Sequence, residues 1–210
     1  AFTENVAAPD WETAIRDYGD QGYDLIICHG FQLTDATKNM APDYPDQMFM
    51  VVNGSAVQEP NMGAFRFDSA QTGFVAGTLA GLLTKSNVVG IMVGDKAPNF
   101  QASMDGFVAA AEYVNPNVKV LTAYTDTTSD IQKGKEIGVA MVEQGADIIA
   151  CNANQVGLGC IEAAKEKGIH AIGFISDQNS VAPETVYASA IQDVSKLVQN
   201  IIKVGLEGGL

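Results

Sequence analysis

"QGYDLIICHG" (21–30) returns later in the chain as "QGADIIACNA" (144–153). Gln21 and Gln144, Gly22 and Gly145, Asp24 and Asp147, Ile26 and Ile149, and Cys28 and Cys151 are each 123 positions apart. "FMVVNG" (49–54) and "IGFISD" (172–177) keep the same offset with no gap between the segments. A phrase that returns in register over this distance marks a duplicated structural unit. Around it, short apolar, β-branched runs recur at 24–28, 47–53, 62–67, 87–93, 118–124, 146–151, 169–175 and 185–191. Helical patterns lie between most of them, at 11–19, 33–41, 70–85, 99–114, 130–144, 156–167 and 194–205. Continuous apolar strands alternating with helices predict an α/β protein with parallel sheets covered on both faces. Two copies of the unit predict two similar doubly wound lobes, 1–68 plus 190–210 and 69–189, rather than one long sheet.

The punctuation fits those boundaries. Asp10 is expected to cap the first helix, and Ser129 or Asp130 to start the fifth. Gly145 and Gly168 are expected to stop the fifth and sixth, the latter after Lys165 and Lys167. Gly73, Gly77 and Gly81 recur every four residues within "FDSAQTGFVAGTLAGLLTK" (67–85), with Ala76 and Ala80 beside them. That spacing predicts one small-residue face for close helix–sheet packing.

Composition removes several functions. With 25 acidic and 12 basic side chains the net charge is −13, which is wrong for a phosphate backbone. No apolar run approaches the ~18 residues of a membrane span. Three cysteines make no disulfide framework and have no metal-site spacing; Cys28 and Cys151 fall in apolar strands and Cys160 in a helix, as buried thiols would. The phosphate-binding G-x-x-x-x-G-K-[ST], the G-x-S-x-G elbow and H-E-x-x-H are all missing, and "GLG" (157–159) lacks dinucleotide spacing. His170 opens a strand and His29 closes one, with no triad spacing around either. The chain is therefore expected to be no enzyme, with no catalytic residue, metal or cofactor.

In doubly wound sheets ligands bind beyond the carboxyl ends of the strands. Polar residues follow the apolar runs at those ends: His29, Asn53, Asn152, Asn154, Gln155, Asp177 and Gln178. Asp68 and Gln192 stand at two further strand exits. Helix capping accounts for any one of them singly, and less well for the matched pairs. Carboxylate and amide groups such as Asp68, Asp177 and Gln192 suit adjacent hydroxyls, as on a sugar, better than an anion.

Together, "QGYDLIICHGF", "YPDQMFMVVNG", "GFVAGTLAGLLTKSNVVGIMVG", "FQASMDGFVAAAEYVNPNVKVLTAYT", "KGKEIGVAMVEQGADIIACNANQVGLGCIEAAKEKG" and "AIGFISDQ" resemble the basic membrane lipoprotein (BMP) family over almost the whole chain. The family comprises substrate-binding components of ABC transporters, several of which bind purine nucleosides. The resemblance implies a type I periplasmic-binding-protein fold, a small-molecule ligand held between lobes and a transporter permease as partner. It also implies an extracytoplasmic location, with any lipid anchor carried upstream. The ligand-binding residues expected on this basis are Gly30, Phe31, Asn53, Asp68, Asn152, Asn154, Gln155, Asp177 and Gln192. Asp177, in "SDQ", matches the family's ribose-binding carboxylate. Ala150 stands where nucleoside binders carry an aromatic residue, Asn154-Gln155 where they carry Gly-Gly, and Gln192 where they carry Lys. The last change resembles pentose-binding relatives. The alternatives are a pentose or polyol binder of the same fold and the effector-binding core of a transcription regulator. An enzyme on a similar fold is a further rival.

The chain begins "AFTENVAAPDW" without Met or a signal segment and reads as the interior of a longer gene product. The resemblance equates "DLIIC" with the family's second strand. The first lobe is accordingly expected to be incomplete, and this chain alone to bind nucleoside poorly and self-associate through exposed strand edges.

Overall fold

The computed structural model describes residues 1–54 and 56–207. The chain forms two separate parallel sheets and divides into two compact units, Ala1–Phe67 with the chain from Val194 onward, and Asp68–Asp193. The two copies of the repeated phrase lie in different sheets, one in each unit.

The first unit carries strands β1 (Leu25–His29), β2 (Met48–Val52) and β3 (Met62–Phe65), in the order β1-β2-β3. Helices α1 (Trp11–Asp20) and α2 (Thr34–Met40) come from the same unit, and Ile15, Met40, Ile26, Phe49 and Val51 form one core. The opposite face of β2, through Met50 and Val52, packs on Ile201 of the last helix, which spans Val194–Leu206. Asp10 sits in a 3-10 turn (Ala8–Asp10) and makes no side-chain cap to α1, contrary to expectation. Its backbone is already helical, with φ −101° and ψ 0°, rather than in the extended conformation a capping residue adopts.

The second unit contains α3 (Ser69–Leu83), β4 (Val88–Val93), α4 (Pro98–Val114), β5 (Lys119–Tyr124), α5 (Ile131–Glu143), β6 (Ile148–Asn152), α6 (Val156–Lys167), β7 (His170–Ile175) and β8 (Val186–Ile191). The remaining helix, Val194–Leu206, is α7. The sheet order β5-β4-β6-β7-β8 is that of a doubly wound fold. Val89, Ile91, Val93, Ile148 and Ala150 face α3 and α4 through Ala76, Ala80, Met104 and Phe107. Met92, Ile149, Cys151 and Ala171 face α5 and α6 through Met141, Val156, Cys160 and Ala164. Complete burial of a side chain such as Phe107 contributes about 1.5–3 kcal/mol. The three cysteines are free and buried.

Asp68 caps α3 by accepting from the Gln71 N–H (3.0 Å), and Asp130 caps α5 by accepting from Lys133 (3.1 Å). Gly168 ends α6 in the left-handed conformation, φ 66°. The glycine face of α3 meets a helix, not the sheet as its spacing suggested. A methyl group on Gly73 or Gly77 would collide with the backbone carbonyl oxygens of Ser103 and Phe107 in α4, and one on Gly106 with that of Ala70. The sheet side of α3 is formed by Ala76 and Ala80 instead. A second glycine pair, Gly134 and Gly159, joins α5 to α6 on the other face in the same way.

The constant offset equates β1 with β6, β2 with β7 and β3 with β8. β6 is the third strand of its unit, so β1 stands one strand later than the resemblance placed it. Among the described residues the first unit has no counterpart of β4 or β5, and no strand pairs with the outer edge of β1.

Candidate functional site

The ladder between β6 and β7 decides where the second unit opens. Its register runs only over Ile148–Ala150 against His170–Ile172, although β6 continues to Asn152 and β7 to Ile175. Beyond Ala150 and Ile172 the two strands are no longer paired. A hollow of about 310 Å³ occupies the gap at their carboxyl ends, lined by Asn152, Asn154, Gln155, Phe174, Ile175 and Gln178 among others. That is the carboxyl-end side on which a doubly wound sheet takes ligands, one strand beyond the β4/β6 switch point of this sheet order.

Backbone geometry marks the same place. Asn154 has φ 50° and Ile175 has φ 73°. A β-branched residue is a genuine outlier in that region, at a cost of ~1–3 kcal/mol, and it persists only where its surroundings hold it. Here the Ile175 carbonyl accepts from Gln192 N–H (2.9 Å), and Ser176 N–H turns back onto the Phe174 carbonyl (2.9 Å). Gln178 fixes the same turn: its Oε1 accepts from Phe174 N–H (3.0 Å) and its N–H donates to Ser189 Oγ (3.0 Å).

The remaining expected residues divide by their bonds. Asn152 is buried and donates through Nδ2 to Ser103 Oγ (3.2 Å). Asn154 and Gln155 are exposed on the rim, the latter anchored by its N–H to the Thr128 carbonyl (3.0 Å). Asp177 is exposed, and its Oδ1 accepts from Asn179 N–H (2.9 Å). Gln192 donates through Nε2 to Thr72 Oγ1 (3.2 Å). Asp68 is the α3 cap. Asp177, Gln192 and Asp68 do not line the hollow. Ile175, Phe174, Ser176 and Leu158 do, and only Ile175's left-handed backbone, which leaves no trace in sequence, would have singled one of them out.

In the first unit the equivalent strand ends carry Gly30, Phe31 and Asn53. Gly30 has φ 123°, and its N–H donates to the Val52 carbonyl (3.0 Å), tying the β1 exit to the end of β2. Phe31 is 42% exposed. Asn53 is left-handed (φ 61°) and accepts through Oδ1 from Phe67 N–H (3.4 Å), joining the exits of β2 and β3. Among the described residues no cluster of His, Cys, Asp and Glu is placed to hold a metal ion, and no helix is long and apolar enough to cross a membrane.

A family model described as Bmp, ABC transporter substrate-binding protein PnrA-like, matches residues 1–210. The chain belongs to the Bmp family. The transcriptional activator protein med of Bacillus subtilis is 30% identical over 200 residues, covering 93% of this chain and 62% of that protein. Basic membrane protein D of Borreliella burgdorferi is 32% identical over 201 residues, covering 93% and 59%. The ABC transporter nucleoside-binding protein BmpA of Lactococcus lactis is 31% identical over 217 residues, covering 95% and 62%. The chain thus spans about three fifths of the length of these Bmp relatives. Among solved structures, a transcriptional activator of the comK gene from Bacillus halodurans aligns with TM-score 0.87 at 25% identity, over 98% of this chain and 71% of that one. An Aeropyrum pernix ABC transporter solute-binding protein aligns with TM-score 0.85 at 22% identity, over 98% and 61%, and supports the fold alone.

Proposed function

We propose that this Bmp chain is the ligand-binding part of an extracytoplasmic solute-binding protein that delivers a purine nucleoside to an ABC transporter permease. The observation that carries the reading is the splayed end of β6 and β7, held open by a strained Ile175 and ringed with amide side chains. Its polar groups are neutral apart from the neighbouring Asp177, which suits hydroxyls and ring nitrogens rather than a phosphate. Asp177 and Gln192 hold sugar hydroxyls in this reading, Asn152, Asn154 and Gln155 engage the rest of the ligand, and Asp68 adds a further strand exit of the same unit; Gly30, Phe31 and Asn53 are the equivalent ligand-binding positions of the first unit. Among these positions Phe31 is the aromatic one, and its exposed ring offers a face to a base. The family description supports the transporter role, and the name of the Lactococcus relative supports the nucleoside.

A second reading, a pentose or polyol ligand, is favoured by Ala150 and Gln192, since neither offers a base the partner that nucleoside binders use. The two activator relatives favour a regulator's effector-binding core, which would share the same ligand step.

Thermal-shift screening against nucleosides, free bases and pentoses separates these readings. A true ligand at 100 times its dissociation constant adds about 2.7 kcal/mol. Asp177→Ala should remove a charge-assisted bond and weaken that ligand by ~1.5–3 kcal/mol while the unliganded melting temperature stays close to wild type. A chain stabilised by bases but by no ribose- or pentose-bearing compound would contradict the assignment of Asp177.

A further inference from the structure

Helix α3 has a face that its own unit does not use. Gly73, Gly77 and Gly81 close on α4, and Ala76 and Ala80 are buried against the sheet. The opposite arc is formed by Gln71, Phe74, Val75, Thr78 and Leu82, an i, i+3, i+4, i+7, i+11 stripe. Phe74 is 46% exposed, Val75 62% and Leu82 62%. From Ser69 to Leu83 there is no charged side chain, in a chain that carries 25 acidic and 12 basic ones. A helix that is apolar all round normally has something packed on every side.

We propose that the outer face of α3 is the contact surface for a second copy of this chain, with the two helices antiparallel about a two-fold axis between Ala76 and Gly77. The charges at the helix ends select this partner and orientation. Exposed Asp68 precedes the stripe and exposed Lys85 follows it. Antiparallel pairing about that axis sets Asp68 of each copy against Lys85 of the other, whereas parallel pairing sets like against like. The same register places Gln71 opposite Leu82 and Val75 opposite Thr78, so large side chains meet smaller or flexible ones. The interface is isologous and closes on itself as a dimer. At net charge −13 per chain, copies repel over most of their surface, and this uncharged stripe is a place where contact carries little of that cost. One helix pair lies below the roughly 1,200 Å² total of a standard interface, so the dimer is weak, with a dissociation constant on the order of tens of micromolar.

Sedimentation velocity on the 210-residue chain, from about 5 to 500 µM to bracket that constant, reads the equilibrium. The wild-type dimer fraction should rise through the range. Val75→Glu and Leu82→Glu should each leave a monomer throughout, with wild-type circular dichroism and melting temperature. Lys85→Glu should weaken the dimer about tenfold by setting a carboxylate against Asp68 of the other copy, and added salt should recover part of that loss. A wild-type chain that stays monomeric overturns the proposal. So does a dimer that survives both stripe variants, which would put the contact elsewhere, as at the open edge of β1. Flotation of monomeric wild-type chain with phosphatidylcholine vesicles, lost in Val75→Glu, would also overturn it by showing the stripe to be a lipid-facing surface.

Discussion

Strands β1 and β6 are written almost alike, "DLIIC" and "DIIAC", yet they are not equally enclosed. Every residue of β6 is buried, and it has β4 on one side and β7 on the other. β1 alternates between buried and partly or fully exposed residues and, among the described residues, pairs with β2 alone. Hollows of about 530 and 540 Å³ lie against its residues, the first lined by Ile26 and Cys28, the second by Leu25, and both reaching Ile27. The aspartates that precede the two strands diverge in the same way. The Asp147 carboxylate accepts from Thr84 Oγ1 (2.6 Å), Lys85 N–H (2.6 Å) and Ser86 N–H (2.8 Å), all from the turn that leads into β4. Asp24 is exposed, and among the described residues the first unit has no counterpart of β4 whose leading turn could reach it. One phrase therefore has two physical fates, set by the neighbours each unit brings to it.

Packing offers the largest test of this difference. Gly73→Ala should destabilise the second unit by about 3 kcal/mol, because α3 and α4 must separate to relieve a backbone collision. Gly22→Ala in the first unit meets nothing within 4 Å and suffers only the left-handed backbone (φ 73°), about 1 kcal/mol. Urea unfolding of both variants checks the ratio, and equal losses would show the two units to be packed alike.

The aspartate pair comes next. Burial pushes the Asp147 carboxyl up, but the bonds from Thr84, Lys85 and Ser86 outweigh it and hold the acid below its ordinary value. Its stabilising effect is present above the unfolded carboxyl range and is lost as pH falls through the folded one. In urea unfolding, Asp147→Asn should cost ~1–2 kcal/mol at neutral pH, allowing for partial exposure, and Asp24→Asn under about 0.5 kcal/mol.

The smallest effect belongs to His170. Its ring stacks on Tyr187, with centroids 3.5 Å apart, and its buried Nδ1 has no hydrogen-bond partner among the described residues. Burial lowers its pKa; the Asp147 charge opposes the shift and Lys85 adds to it. The unfolded chain therefore takes up the proton first as pH drops. The second unit is at full strength above the imidazole's ordinary value near 6.5 and weakens as pH falls from there toward the folded value. Melting curves between about pH 5 and 8 should show that slope in wild type and a shallower one in His170→Phe.

The strands and helices were legible because each parallel strand is a short apolar run ended by a turn residue, a pattern that needs no knowledge of neighbours. What depended on neighbours was not legible. The α3 glycines announced a close approach but not whether a helix or the sheet would make it. Gly134 and Gly159 gave no signal until α5 and α6 lay together. Asp10 had the chemistry of a cap, and the preceding 3-10 turn left it without the geometry. At the candidate site, Asn152, Asn154 and Gln155 could be read as polar residues after an apolar strand. The bond from Asn152 to Ser103 joins residues 49 apart in the sequence, and the inverted backbone of Ile175 belongs to a residue type that ordinarily refuses it.

Hydrogen exchange of the wild-type chain with and without a saturating nucleoside shows whether ligand is held at the carboxyl ends of the repeated strands. Slowed exchange is expected at 151–155 and 175–178, with a smaller change at 29–31 and 53–54 and none in the hollows beside β1. Protection confined to the β1 edge, with the ends of β6 and β7 unchanged, would contradict it.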